Sequence, residues 1–330
     1  MRKIRIGLYG TVGHQIQNAF EAHPEAEVVA LASFEPSAIP DYLRRGGVVI
    51  YASLDELLAD QSIDMVSFCS PFKDEQGEHV IRCMESGKHA YAEKPCCMDE
   101  ATLDRIIETA KRTGRIFHEM GGTAMQQPYC TLREIVASGE IGEVIQVFGQ
   151  KSYPWADWRP SDERIDGGLA LQVGIYNARF AEHVAGVRIS DLEIRETRLG
   201  NTNPDSECRR AVSMLMEFEN GGVGSAVANY CCPDQSAWGN WGYETLRIFG
   251  SKGFVESIDN GRIGTLAVEG CKPQVLDFSA SGGDYLESFL LEIKTGMKAI
   301  PYSLEDELRP TRWVIRAREN NRRREEAKLS

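Results

Sequence analysis

Short apolar runs alternate with amphipathic, capped stretches over residues 4–119, and no other feature of the chain restricts its fold as strongly. The runs at 4–9, 27–32, 64–69, 89–92 and 115–119 have the length of buried strands. Between them, 14–22, the stretch opening at Ser53, 76–86 and 99–112 have helical character. Ser53 with Glu56 three residues on is an N-cap signature, and Gly87 stands where a helix-ending glycine belongs. Strand, helix and strand repeated in this way bury a parallel sheet under helices on both faces. The predicted fold class is α/β, with a doubly wound parallel sheet over residues 1–122.

After Gly121-Gly122 the rhythm changes. A helix over 129–138 stops at Gly139, and alternating strands follow at 143–152, 191–198, 210–219, 222–230, 244–249 and 253–257. Asn220-Gly221 between two of these runs is a hairpin signal. Helices at 285–295 and 308–320 close the chain. Residues 123–330 therefore read as an α+β domain on a large, mostly antiparallel open sheet.

A length of 330 residues suits two domains. The formal charge of −12 excludes nucleic acid as the natural partner, because phosphates demand a basic footprint. Arg322-Arg323-Arg324 beside Glu325 and Glu326 reads as a solvated helix end. The nine cysteines form no C-x-x-C pair, and the adjacent Cys96-Cys97 and Cys231-Cys232 suit neither a disulfide nor zinc, so no metal site is expected. They point to a reducing compartment. The start, Met-Arg-Lys-Ile-Arg-Ile-Gly, lacks an apolar signal core, and no run approaches the length a bilayer needs. A cytoplasmic chain without a membrane partner is expected.

Chemistry is expected at strand ends, where open α/β sheets bind ligands. The turn Gly10-Thr11-Val12-Gly13-His14 joins the first strand to the next stretch, the position where a dinucleotide diphosphate meets a helix N-terminus. The usual G-x-G-x-x-G pattern from Gly10 would place glycines at Val12 and Gln15, and neither is there, although Gly13 lets the backbone come close. An ordinary tight turn fits the same residues. The second strand ends at Ser33 where an acid would hold the ribose, which leaves NAD and NADP both open. The run 89–92 stops at Glu93-Lys94-Pro95, since proline cannot continue a ladder. A lysine beside a carboxylate there can orient a hydroxyl or carbonyl and tune proton transfer, and a plain ion pair is the alternative.

Several ordered signatures together give the chain a family resemblance. They are the glycine turn, Ser70-Pro71, Glu85-Ser86-Gly87-Lys88-His89, Glu93-Lys94-Pro95, Ser138-Gly139-Glu140-Ile141-Gly142, Gly167-Gly168, Phe249-Gly250-Ser251-Lys252-Gly253 and Ser303-Leu304-Glu305-Asp306. In these the whole chain resembles the Gfo/Idh/MocA family of NAD(P)-dependent oxidoreductases. The resemblance implies an N-terminal Rossmann domain that binds NAD or NADP through Gly10, Thr11, Val12, Gly13, His14, Ser33, Ser70, Pro71 and Glu93. It implies a C-terminal domain whose open sheet mediates homo-oligomerisation as a dimer or tetramer, and small-molecule substrates such as sugars, polyols or their acids. Lys94 becomes the active-site lysine.

The family's second catalytic element, Asp-x-Gly-x-His-x-x-Asp, is matched here by Gln172, Gly174, Tyr176 and Arg179, of which only Gly174 agrees. Histidine exchanges protons near neutrality; a tyrosine with an ordinary pKa of about 10 does so only if a nearby cation stabilises its phenolate. Lys94 and Tyr176 are thus the expected catalytic pair, with Lys94, Gln172, Tyr176 and Arg179 contacting substrate clamped between the domains. A non-catalytic dinucleotide- or sugar-binding sensor with a drifted site is the competing reading, and a hydrolase or lyase that oxidises and re-reduces one carbon through bound NAD is a third. His79 and His183 read as scaffold, Trp155, Trp158, Trp238 and Trp241 as sugar-stacking or interface aromatics, and Arg159, Asp162, Glu163 and Arg164 as a polar lid or a solvated loop.

Overall fold

A computed structural model describes residues 2–155, 159–201, 206–233 and 242–328. Trp158, Trp238 and Trp241 lie outside these described residues. The chain folds as two compact units. One comprises Met1–Gly121, Arg164–Gly167 and Tyr285–Leu308; the other comprises Gly122–Glu163, Gly168–Asp284 and Arg309–Ser330.

The first unit is built on a six-stranded parallel sheet ordered β3-β2-β1-β4-β5-β6. Its strands are β1 (Ile4–Tyr9), β2 (Ala26–Ala32), β3 (Val49–Tyr51), β4 (Met65–Phe68), β5 (His89–Ala92) and β6 (Phe117–Glu119). Strand order reverses between β1 and β4, so their carboxyl ends open the crevice such sheets use for ligands. Ser53 caps the helix Leu54–Ala59 by accepting the Glu56 N–H at 3.2 Å, and Asp99 caps Glu100–Thr113 by accepting the Thr102 N–H at 2.8 Å. Gly77 lets the helix Lys73–Glu85 lie close to its neighbour, because a Cβ there would stand 2.3 Å from Thr102 Cγ2.

One expected element is absent. The stretch 14–22 forms only a 3-10 turn, Gln17–Phe20. Gln15 turns its amide into the backbone, donating to Gly10 O at 3.0 Å and accepting from Ser67 Oγ at 2.7 Å, and Ala22 takes a left-handed φ of +61°. No helix dipole of useful length therefore faces the glycine turn, and an anion there would rest on turn amides alone.

The second unit holds an eight-stranded sheet ordered β14-β13-β12-β11-β7-β10-β9-β8. The strands are β7 (Val144–Pro154), β8 (Ile189–Thr197), β9 (Ala211–Phe218), β10 (Val223–Cys232), β11 (Tyr243–Gly250), β12 (Gly253–Ile258), β13 (Ile263–Val268) and β14 (Gln274–Val275). Asn220-Gly221 makes the β9–β10 hairpin, with Gly221 at φ +85°. All described pairings are antiparallel except β7 with β10. Helices Tyr129–Ala137 and 168–184 pack on the sheet; the second widens to π turns at Ala170–Gly174 and Phe180–Val184. Gly149 leaves room for Asn177, whose Oδ1 would lie 2.5 Å from a Cβ at that position and whose Nδ2 donates to Val227 O at 3.2 Å. The final helix runs Leu304–Glu326, longer than the predicted 308–320, and is amphipathic enough to bury Leu308, Val314, Ile315 and Ala317.

Candidate active site

β5 delivers Glu93 and Lys94 to the sheet's carboxyl end, both almost wholly buried at 0% and 4% exposure. Glu93 Oε2 accepts the His14 N–H at 2.6 Å and lies 2.9 Å from His14 Nδ1. Glu93 Oε1 sits 3.6 Å from Lys94 Nζ. Burial alone would raise the Glu93 carboxyl, but the Lys94 charge, the His14 hydrogen bond and Lys73 outweigh it and hold the group down at about 2. Glu93 is therefore a fixed anion that ties the glycine turn to the lysine.

At two positions the turn has room only for glycine. Gly10 has φ +72°, and a Cβ there would lie 2.2 Å from Cys69 O. Gly13 has φ +119°, and a Cβ would lie 2.6 Å from Glu93 Cγ. Val12 occupies the second glycine position, its N–H donating to Cys69 O at 3.0 Å and its carbonyl accepting from Lys73 Nζ at 3.0 Å. The amides of Thr11 and Gly13 meet no acceptor among the described residues, and Glu93 Oε1 accepts no hydrogen bond there. Open amides at a φ-positive turn and an unfilled buried acceptor fit a dinucleotide, with the diphosphate on the turn.

Ser70 and Pro71 follow β4 beside that turn. Ser70 N–H donates to Gln76 Oε1 at 3.0 Å, and Ser70 Oγ lies 3.0 Å from His79 Nδ1. Gln76 in turn donates to Glu93 O at 2.6 Å and Pro95 O at 2.9 Å, locking the loops after β4 and β5 together. Ser33 follows β2 with φ +56°, and a hydrogen bond links it to the Tyr9 phenol. Sequence reasoning passed over Gln76 and Lys73; their signal was two polar residues at buried positions of an otherwise amphipathic helix.

In the second unit Gln172 and Tyr176 are half-exposed in a largely buried helical stretch, whereas Arg179 and His183 are buried. Lys151 on β7 stands over the Tyr176 ring, 4.5 Å from its centroid, and 4.9 Å from that of Tyr153. It pairs with Glu244, which also accepts the Tyr129 hydroxyl. Tyr153 hydrogen-bonds Tyr176, and burial, with Tyr176 second, pushes the Tyr153 phenol upward. A cation beside Tyr176 was expected; its source within this unit is Lys151, which sequence reasoning missed. Its signal was a lysine in register with the inward-facing Val147 and Gly149.

Charged residues in the described part of the stretch before Gly167 have partners. Glu163 is buried and pairs with Arg318 at 2.7 Å and with Arg322, so the basic helix end is partly spent internally. Arg164 bonds Asp74 at 2.6 Å, and Arg159 stacks on Tyr230 at 3.6 Å. Trp155 lies under the Arg210 guanidinium at 4.0 Å.

Comparison with known proteins bears on the family and the fold. A family model described as the oxidoreductase family, NAD-binding Rossmann fold, matches residues 4–120, and one for the GFO/IDH/MocA C-terminal domain matches 129–256. The chain is 33% identical over 206 residues to an uncharacterized oxidoreductase, ORF334, of Rhizobium meliloti, covering 58% of this chain and 61% of that one. It is 26% identical over 313 residues to the myo-inositol 2-dehydrogenase of Thermotoga maritima, covering 90% and 88%. The fold matches the aldose-aldose oxidoreductase of Caulobacter crescentus, solved with glycerol, at a TM-score of 0.80 and 19% identity over 98% of each chain.

Proposed function

We propose, from the premise that this chain belongs to the Gfo/Idh/MocA family of oxidoreductases, that it is an NAD(P)-dependent oxidoreductase acting on a hydroxyl or carbonyl of a polyol, sugar or related small polar compound. The observation that carries this reading is the Glu93–Lys94 pair buried at the strand ends beside a turn with open amides. The relatives matched above, a myo-inositol dehydrogenase and an aldose oxidoreductase, support the substrate class.

The bound nicotinamide would supply the hydride acceptor or donor. Thr11 and Gly13 would hold the diphosphate through backbone N–H groups, and Ser33 would stand at the adenosine ribose. Glu93 would keep Lys94 in place, and the Lys94 ammonium would donate a hydrogen bond to the reacting oxygen. Tyr176 would exchange that oxygen's proton, with the Lys151 ammonium held over its ring. Gln172, half-exposed on the same helix, would orient a substrate hydroxyl, and Arg179 would support the helix from its buried side.

Homo-oligomerisation is part of the reading. Across the second unit's sheet, Leu215, Ser225, Phe148 and Arg247 stand side by side, and Val223 is in the adjacent row. Leu215 and Val223 are 58% and 45% exposed, apolar area that suits burial by a second copy. Nine free cysteines support a reducing, cytoplasmic setting, and among the described residues no helix is long and apolar enough to cross a membrane.

The test is to titrate NADH and NADPH by fluorescence and then follow nicotinamide absorbance across a panel of polyols and sugars. Turnover lost in Lys94→Ala with dinucleotide binding retained supports the reading; binding without turnover across the panel transfers it to a sensor.

A further inference from the structure

At the opposite end of the parallel sheet, the amino ends of β1, β4, β5 and β6 border a cavity of about 380 Å3. Arg2, Lys3, Lys88, Arg115 and Lys294 line it against one carboxylate, Asp64. Such an excess of cations is out of character for a chain of net charge −12. Several of these charges have partners. Arg2 bonds Asp64 at 2.6 Å, Lys3 donates to His23 O at 2.7 Å, and Lys294 pairs with Glu25.

Lys88 differs from them. It is 2% exposed, and its ammonium has no hydrogen-bond or ion-pair partner among the described residues. Its stem is buried and its ammonium reaches the cavity, where no described protein group accepts from it and an anion would. Two further donors border the same space. Arg115 uses Nη1 on Gly87 O at 3.3 Å and Nε on Thr113 O at 3.5 Å, while its Nη2 meets no acceptor among the described residues. His89 Nδ1 accepts the Ile116 N–H at 3.0 Å, which places the proton of the neutral ring on Nε2 as a donor. Burial, with Arg115 second, keeps that ring neutral down to about pH 4, so it donates without adding charge.

We propose that this cavity binds a compact oxyanion of the phosphate class, held by Lys88, Arg115 and the His89 Nε2–H. The fork of Arg115 and the point charge of Lys88 supply complementary donors for a multivalent oxyanion. The site stands apart from the glycine turn, at the start rather than the end of β5, and nothing in the proposed redox chemistry uses it.

The probe is inorganic phosphate, followed by titration calorimetry on the full chain at constant ionic strength, with chloride as control and with saturating NADH present. NADH blocks the other plausible phosphate position, the glycine turn. A single phosphate per chain is expected to bind in the presence of NADH, about tenfold or more weaker in Lys88→Met and in Arg115→Ala. Lys88→Met keeps the length of this largely buried side chain and removes a charge that has no partner among the described residues, so its thermal midpoint without phosphate should equal or exceed that of the parent. Arg115→Ala gives an independent reading should Lys88→Met fail to fold. No phosphate binding, binding abolished by NADH, or affinity unchanged in these variants would overturn the proposal.

Discussion

Glu93 concentrates the electrostatics of the candidate site. Its folded pKa is about 2 against an ordinary 4.5, so its ionisation supplies stability that is fully present above about pH 4.5 and is lost as pH falls toward 2. The difference corresponds to about 3 kcal/mol as an order of magnitude. Glu93→Gln should therefore lower thermal stability at neutral pH, with the gap between variant and parent closing in acid; a gap that does not change with pH would contradict the assignment. Gly13→Ala places a Cβ 2.6 Å from Glu93 Cγ at a φ of +119°. It should cost about 1–3 kcal/mol and weaken NADH binding measurably by fluorescence. Lys151→Met should lower kcat more than it changes KM, since it removes the cation over Tyr176. Glu93, Lys94 and the glycines were legible in sequence because each sits next to a chain-terminating or turn-forming residue. Lys151 and Gln76 were not, because their roles depend on partners far along the chain.

At the scale of elements, β6 is fastened by a buried histidine. His118 Nδ1 lies 2.6 Å from Glu307 and Nε2 lies 2.9 Å from Glu292, and Glu307 also accepts the Glu119 N–H at 3.0 Å. Burial opposes the imidazolium, but these two carboxylates raise His118 from 6.5 to about 9. Its stabilisation is complete below about pH 6.5 and is lost as pH rises through 9. His118→Gln should destabilise the chain by about 3–5 kcal/mol near pH 6, read from denaturant midpoints, and by much less at pH 10. Glu119 then accepts the Cys96 N–H at 2.8 Å, so this lock reaches the segment that follows Lys94. Five strands of the first sheet are readable as short apolar runs, whereas the three-residue edge strand β3, with Val49 and Ile50 exposed, is not. The helix expected at 14–22 was misread, since side-chain competition from Gln15 for turn carbonyls leaves no periodic trace. β13 and β14 went unseen for a different reason. β14 is a two-residue edge strand with Val275 exposed, and β13 beside it opens with exposed Ile263 and buries only Gly264 and Leu266.

For the whole molecule, the division into α/β and α+β halves was legible from the change of rhythm at Gly121-Gly122, whereas the return of 164–167 and 285–308 to the first unit was not. Contacts so distant in sequence leave no local pattern. Leu215→Arg combined with Val223→Arg should shift the mass in solution toward the monomer by light scattering while leaving the far-ultraviolet spectrum intact; an unchanged mass would place the interface elsewhere. In the proposed reaction Lys94 serves the reacting oxygen of a substrate reduced or oxidised by a bound nicotinamide. The most direct test is steady-state turnover of the parent and Lys94→Ala on a polyol and sugar panel, with NADH affinity measured in parallel. In Lys94→Ala kcat should fall by about 10²–10⁴ with affinity held within a few-fold; a variant that keeps the parent's rate would contradict this role for Lys94.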